Sequence, residues 1–258
     1  FTGAADVSAV QTAQDVDKGT VTVQAILNNR TNQSLTTDVT VEIFEMGVYT
    51  DETFGTGAWK KVGEQLLKSQ TVPAGKSLTV RLDDISLENW SREKCWTPDN
   101  PYLYMARVST TGDTYEVRFG MRTFEFDDRG NARLNGEIIC LMGTNVAIER
   151  FFDDPLCLNN PWDEDWIRKL YSEYRDCHWF CFRTHLGSAN SLWFDIADEM
   201  GFMIFDEYAN WGDNDGCTVQ SIMPEIRAWI DERGHHPSVI CFDAMNEGNG
   251  TLTDQFIP

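Results

Sequence analysis

Val239-Ile240-Cys241-Phe242-Asp243-Ala244-Met245-Asn246-Glu247 opens as a short apolar run and closes on an amide beside a carboxylate. A run of this length, entered from His235-His236-Pro237-Ser238, predicts a strand buried on both faces, as in a parallel sheet. In a barrel of parallel strands the C-terminal strand ends face the active site. Asn246 and Glu247 are therefore expected at such a mouth, held by the strand beneath them.

Upstream of this stretch the pattern alternates between strand and helix. Strands are expected at 138–142, 179–183 and 202–205, and the strand just quoted is expected over 239–245. Between them, 163–177 carries Trp166, Ile167, Leu170 and Tyr174 at helical spacing. A second helix is expected at 191–200, stopped by Gly201, and a third at 220–233, stopped by Gly234. Repeated βα units predict a parallel sheet covered by helices. Four strands make half of a closed eight-stranded barrel. The remaining barrel half, or another chain, is expected to cover the open strand edges.

Before residue 127 the pattern is all-β. Val39, Val41 and Ile43 share one face of a strand whose other face carries Thr40 and Glu42. Strands are also expected at 21–27 and 77–82, and 102–110 with 115–119 predicts a hairpin around Thr111-Gly112-Asp113. The aromatic stretch 96–104, stiffened by Pro98 and Pro101, reads as a strand entry. Asn135-Gly136 predicts a two-residue hairpin turn. The expected architecture is multi-domain, β plus α/β. Residues 1–126 form an immunoglobulin-like β-sandwich, and residues 127–258 form the first half of a (β/α)8 barrel, strands 1 to 4.

Composition narrows the function classes. A net charge of −20 argues against nucleic acid and against an anionic membrane surface. No run of 18 apolar residues exists to span a bilayer. A soluble protein of the cytoplasm or periplasm is expected. The start, Phe1-Thr2-Gly3-Ala4, has neither an initiator Met nor a signal pattern, which predicts a processed protein or an excised piece. The seven cysteines form no CxxC pair, so neither metal nor cofactor is expected. Cys140, Cys181 and Cys241 read as small buried hydrophobes. The nine Trp residues read mainly as core, although flat apolar rings also suit sugar-binding clefts.

Polar residues end each expected strand of the second half. They are Asn145, then Arg183-Thr184-His185, then Asp206-Glu207, then Asn246-Glu247. On barrel strands all four groups meet at one mouth. That grouping suits glycoside cleavage, which needs a proton donor for the leaving oxygen and a second carboxylate across the sugar. Glu247 is the expected donor, with a pKa raised by burial or by a neighbouring carboxylate. Asn246 is expected to bond a sugar hydroxyl, and Arg183 to orient and neutralise the second carboxylate. His185, Glu207 and Asn145 complete the expected substrate-binding set, with Asp206-Glu207 also readable as a loop cap. His235 and His236 precede a strand at the other end of the sheet and read as structural.

Several segments together resemble glycoside hydrolase family 2, the group of β-galactosidases, β-glucuronidases and β-mannosidases. They are Gly120-Met121-Arg122-Thr123-Phe124-Glu125, Leu134-Asn135-Gly136 with Leu141-Met142-Gly143-Thr144-Asn145, Phe182-Arg183-Thr184-His185, 193–201, Asp206-Glu207, and 236–240 through Asn246-Glu247. The resemblance covers about residues 20–250. It implies a carbohydrate substrate and cleavage of β-glycosides with retention of configuration. It further implies Glu247 as acid/base, Asn246 as its motif neighbour, and Arg183, His185 and Glu207 as pocket residues. It places the nucleophilic Glu on a later barrel strand, so this fragment alone is expected to be inactive. Two alternatives stand beside it, a non-catalytic carbohydrate-binding or assembly module and an endo-acting glycanase.

Overall fold

The computed structural model describes residues 5–50, 54, 57–187, 189–210 and 218–247. The chain divides into two compact units, Phe1–Glu125 with Arg133–Glu137, and Phe126–Ala132 with Ile138–Pro258.

The first unit carries β1 (Ala5–Asp15), β2 (Thr20–Asn29), β3 (Leu35–Val48), β4 (Lys60–Val72), β5 (Ser77–Ser86), β6 (Tyr102–Ser109) and β7 (Thr114–Phe119). They form two antiparallel sheets, ordered β1-β2-β5 and β4-β3-β6-β7. Val21, Val23, Ala25 and Leu27 of β2 and Val39, Val41 and Ile43 of β3 lie in one shared core. Period-two alternation places them on the inward faces. Burying each of those Val, Leu and Ile side chains contributes about 1.5–3 kcal/mol. The expected hairpin is present, with Tyr104 opposite Phe119 and the turn closed by the Thr110 N–H bonding Asp113 O at 2.8 Å. The stretch before β6 is an entry to that strand, and its Trp96 is fully buried with its N–H on Met121 O at 2.9 Å.

β8 (Phe124–Phe126), β9 (Ala132–Leu134) and β10 (Glu137–Ile138) make a small sheet in the order β10-β9-β8. Asn135 and Gly136 connect β9 to β10 with φ of 54° and 87°. Two successive positive φ values are what the expected turn requires.

The second unit contains β11 (Gly143–Val146), α1 (Ile148–Asp153), α2 (Glu164–Asp176), β12 (Cys181–Thr184), α3 (Ser191–Met200), β13 (Met203–Glu207), α4 (Val219–Arg233) and β14 (Val239–Asp243). The four strands are parallel and ordered β11-β12-β13-β14. Local signals set the helix ends. The Asp163 carboxylate accepts from the Trp166 N–H and the Asn190 side chain from the Leu192 N–H, while Gly201, at φ 73°, closes α3. Ile167, Tyr171, Phe182, Trp193, Phe194 and Phe202 form the core between helices and sheet.

The first strand of this sheet lies later than expected, at 143–146 rather than 138–142. Ile138 belongs instead to the two-residue β10 and is 62% exposed. Gly143 explains the shift. A Cβ built there would sit 1.5 Å from Cys181 O, so this close approach to β12 admits only glycine. Cys140, expected to be buried, is exposed because it falls before that strand; Cys181 is buried and Cys241 half-buried. Cys217 lies outside the described residues, and the other six thiols are free.

Beneath β14, Asp198 of α3 holds the chain on its way in. Its Oδ2 meets His236 Nδ1 at 2.6 Å and its Oδ1 accepts from the Ser238 N–H at 3.0 Å. His236 is buried in this structural contact.

Candidate active site

Successive side chains of a strand point to opposite faces of the sheet. Phe182 and Ile204 face the helical core. Asp206 shares that face. Its Oδ1 accepts from Thr184 Oγ1 at 3.0 Å and its Oδ2 from Trp229 Nε1 of α4 at 2.7 Å. Asp206 is thus a structural acid, fully buried, its pKa raised by burial against the pull of those two hydrogen bonds. Arg183 and Glu207 belong to the other face. Sequence order alone made Asp206 and Glu207 look alike; strand parity separates them.

On that other face Arg183 is the hub. Its Nη2 lies 2.6 Å from Glu207 Oε2, and its Nε donates to Asp243 Oδ2 at 2.9 Å. The same Nη2 donates to Asn246 Oδ1 at 3.2 Å. One guanidinium therefore gathers groups from the ends of β13 and β14, using the planar fork that suits carboxylates. The carboxylates that Arg183 orients here are Glu207 and Asp243. His185 Nδ1 approaches Glu207 Oε2 at 3.4 Å, and the His185 backbone N–H is fixed on Val146 O at 3.0 Å.

Glu207 is fully buried and its Oε1 has no hydrogen-bond partner among the described residues. Burial raises its pKa; Arg183 and His185 oppose that rise, and Asp243 adds to it. Asn246 is also buried, and its Nδ2 likewise has no partner among the described residues. The cluster therefore holds one acceptor and one donor ready for a polar ligand. Buried groups left in this state cost about 1–3 kcal/mol each, which a bound hydroxyl recovers.

The Asn246 backbone N–H donates to Asn210 O at 2.9 Å, and the Tyr208 N–H to Asp243 O at 2.8 Å. These bonds tie the turn after β14 to the loop after β13. Glu247 follows Asn246 directly and has φ 55°. A left-handed backbone at a non-glycine residue costs about 1–3 kcal/mol and is concentrated at functional sites. The Glu247 side chain is exposed. Asn145 is in register with Arg183 on β11, is exposed, and makes no side-chain hydrogen bond to the cluster among the described residues.

Asp243 was not among the expected site residues. Its signal lay in register: it pairs with Glu207 across β13 and β14, and Arg183 lies one strand further, paired with Phe205. A carboxylate on an otherwise apolar run, in phase with Cys241 and out of phase with Phe242, marks a side chain on the non-helical face.

Comparison with known proteins places these features in context. The sequence model for glycosyl hydrolases family 2 matches residues 5–122. A Formosa agariphila protein assigned to the β-glucuronidases is 23% identical over 176 residues, covering 64% of this chain and 16% of the relative. A β-galactosidase of Thermoanaerobacter pseudethanolicus is 42% identical over 55 residues, covering 19% of this chain and 7% of the relative. Among solved structures, the galacturonate-bound GH2 β-galacturonidase of Eisenbergiella tayi superposes with a TM-score of 0.75 at 18% identity, covering 97% of this chain and 42% of its own. A Bacteroides uniformis β-glucuronidase gives 0.75 at 16% identity, covering 99% and 30% respectively. The chain thus spans less than a quarter of the curated relatives it matches and less than half of these solved chains.

Proposed function

We propose that this chain, whose residues 5–122 match the model for glycosyl hydrolases family 2, is a member of that family and contributes to a glycoside hydrolase that cleaves β-glycosides with retention of configuration. The two sheets of the first unit are read as an immunoglobulin-like sandwich and the parallel sheet as the first half of a (β/α)8 barrel. The boundary between them is placed near residue 126. The observation that carries the function is the Arg183 hub, which draws Glu207, Asp243 and Asn246 together at the C-terminal strand ends.

In this reading Asn246 Nδ2 donates to a sugar hydroxyl and Glu207 Oε1 accepts from one. His185 and Asn145 contact the same sugar. Arg183 bridges Glu207 and Asp243, offsets their mutual repulsion and fixes their direction. Glu247, in its left-handed turn beside Asn246, protonates the departing oxygen and later deprotonates the attacking water. The nucleophile is a second carboxylate from outside the described residues, about 5–5.5 Å from Glu247 in a retaining enzyme.

The test is Glu247→Gln in the active full-length enzyme, assayed on an aryl β-glycoside with a poor leaving group. The expected loss in kcat/KM is about 10²–10⁴-fold. A loss well under tenfold assigns proton transfer to another residue. An unaltered wild-type rate of zero on every β-glycoside, together with glycan binding, favours the carbohydrate-binding alternative.

A further inference from the structure

β12 and β13 part at the level of the strand-end cluster. Among the described residues they are in register over Cys181 with Met203, Phe182 with Ile204 and Arg183 with Phe205, and no further. β12 continues beside β11, with Thr184 opposite Val146, and β13 continues beside β14, with Glu207 opposite Asp243. In a parallel ladder the bonds recur at every second residue. The Met203 N–H bonds Phe180 O at 2.9 Å, so a continued ladder would carry the Glu207 N–H to the Thr184 carbonyl. That N–H goes instead to the Thr184 hydroxyl, at 2.9 Å. The hydroxyl stands in for a strand carbonyl at the place where the two strands separate.

Thr184 is fully buried, and its hydroxyl has one hydrogen to give. Asp206 Oδ1 accepts it at 3.0 Å, while Phe205 O, at 3.5 Å, lies at the limit of bonding distance. Asp206 Oδ2 is held in turn by Trp229 Nε1 at 2.7 Å. The Trp229 ring packs edge-on against Phe242, with ring centres 4.9 Å apart, and Phe242 is the β14 partner of Asp206. A chain of bonds therefore runs from α4 through Trp229, Asp206 and Thr184 to the Glu207 backbone. Arg183 and His185 flank Thr184, and Glu207 follows Asp206, so each buried residue stands one position from members of the cluster. Strand parity keeps Thr184 and Asp206 on the face away from the ligand. Satisfied polar networks in a dry core rigidify what they hold.

From this wiring we propose that Thr184, backed by Asp206 and Trp229, is a positioning residue for Glu207. It fixes the end of β13 against β12, so that Glu207 Oε2 stays on Arg183 and Oε1 stays directed at the ligand. The proposal deepens the glycosidase reading and rests on it for its kinetic consequence, since the ligand at Oε1 is the sugar of that reading.

The test is a double-mutant cycle in the full-length enzyme, assayed on an aryl β-glycoside well below the melting temperature of every variant. Thr184→Val keeps the volume and removes both hydroxyl bonds. It should lower kcat/KM about tenfold or more, since small misplacements of a reacting group cost up to about 10²-fold. Thr184→Ser should restore activity to within about threefold of wild type. In a Glu207→Ala background Thr184→Val should cost less than about twofold, because its effect passes through Glu207. Equal losses in the two backgrounds overturn the proposal, as do a Thr184→Val enzyme of wild-type kcat/KM and a Thr184→Ser enzyme as impaired as Thr184→Val. If Thr184→Val does not fold, Trp229→Phe carries the same cycle. It should lose about threefold alone and nothing further beside Glu207→Ala, and a wild-type kcat/KM for it overturns the proposal. Crystal structures separate this inference from the glycosidase reading. Inactivity of the wild type on every β-glycoside removes that reading, and the position of Glu207 then decides the lock. In Thr184→Val, or in Trp229→Phe if that variant replaces it, Glu207 Oε2 should leave its place 2.6 Å from Arg183 Nη2, and in Thr184→Ser it should keep it. Glu207 unmoved in the disabled variant overturns the lock.

Discussion

Glu207 is the most constrained acid of the cluster, and its titration should be visible in stability. Burial holds its carboxyl above the ordinary 4.5, in spite of Arg183 and His185. A raised folded-state pKa favours the protonated acid. Its contribution is therefore complete below about pH 4.5 and is lost as pH rises through the folded value. Glu207→Gln removes that titration. Urea unfolding of wild type and variant should show the stability difference moving in favour of the variant from pH 4.5 toward neutrality. A difference independent of pH would mean that Arg183 fully offsets the burial. At this scale the sequence showed which residue types would meet, namely Arg183, His185, Glu207 and Asn246. It did not show that Asp206 turns away, or that Asp243 joins them, since both follow from the phase of each side chain on its strand. The exposure of Glu247 was equally hidden, because it depends on what surrounds a turn rather than on the turn's own residues.

Secondary structure was most legible where the chain carries its own punctuation. α3 runs over the expected residues because Asn190 caps its start and Gly201 its end. The hairpin of β6 and β7 was legible through alternation and a Gly-Asp turn. β1 and β4 escaped sequence reading for different reasons. β1 is rich in Ala and Gln and has no β-branched run, and β4, at a sheet edge, is exposed along most of its length and so reads as polar. β11 was misplaced because its decisive feature is the contact of Gly143 with Cys181 O, a tertiary fact. Gly143→Ala should therefore push β11 off β12 and cost at least the ~1–3 kcal/mol typical of overpacking. Chemical denaturation checks the loss, and the binding of any sugar that requires Arg183 should fall with it. An unchanged unfolding midpoint would show that the strand separates freely.

For the molecule as a whole, the borders of the parallel sheet among the described residues bear on self-association. β11 and β14 are the outer strands of that sheet, and each pairs on one side only among the described residues. Gly143 and Asn145 on β11 are exposed. Unpaired strand borders invite pairing with another chain, and here the acidic surface opposes it. The 258-residue chain should associate with itself as salt screens its charge of −20, and sedimentation velocity at low and high ionic strength would show the shift. A monomer at every salt concentration would mean that those borders are covered. The same experiment meets the thiols already described. Cys140 and Cys177 stand in open water. In air they would weld copies together through sulfur, a covalent counterfeit of strand pairing that dilution cannot undo and a reductant can.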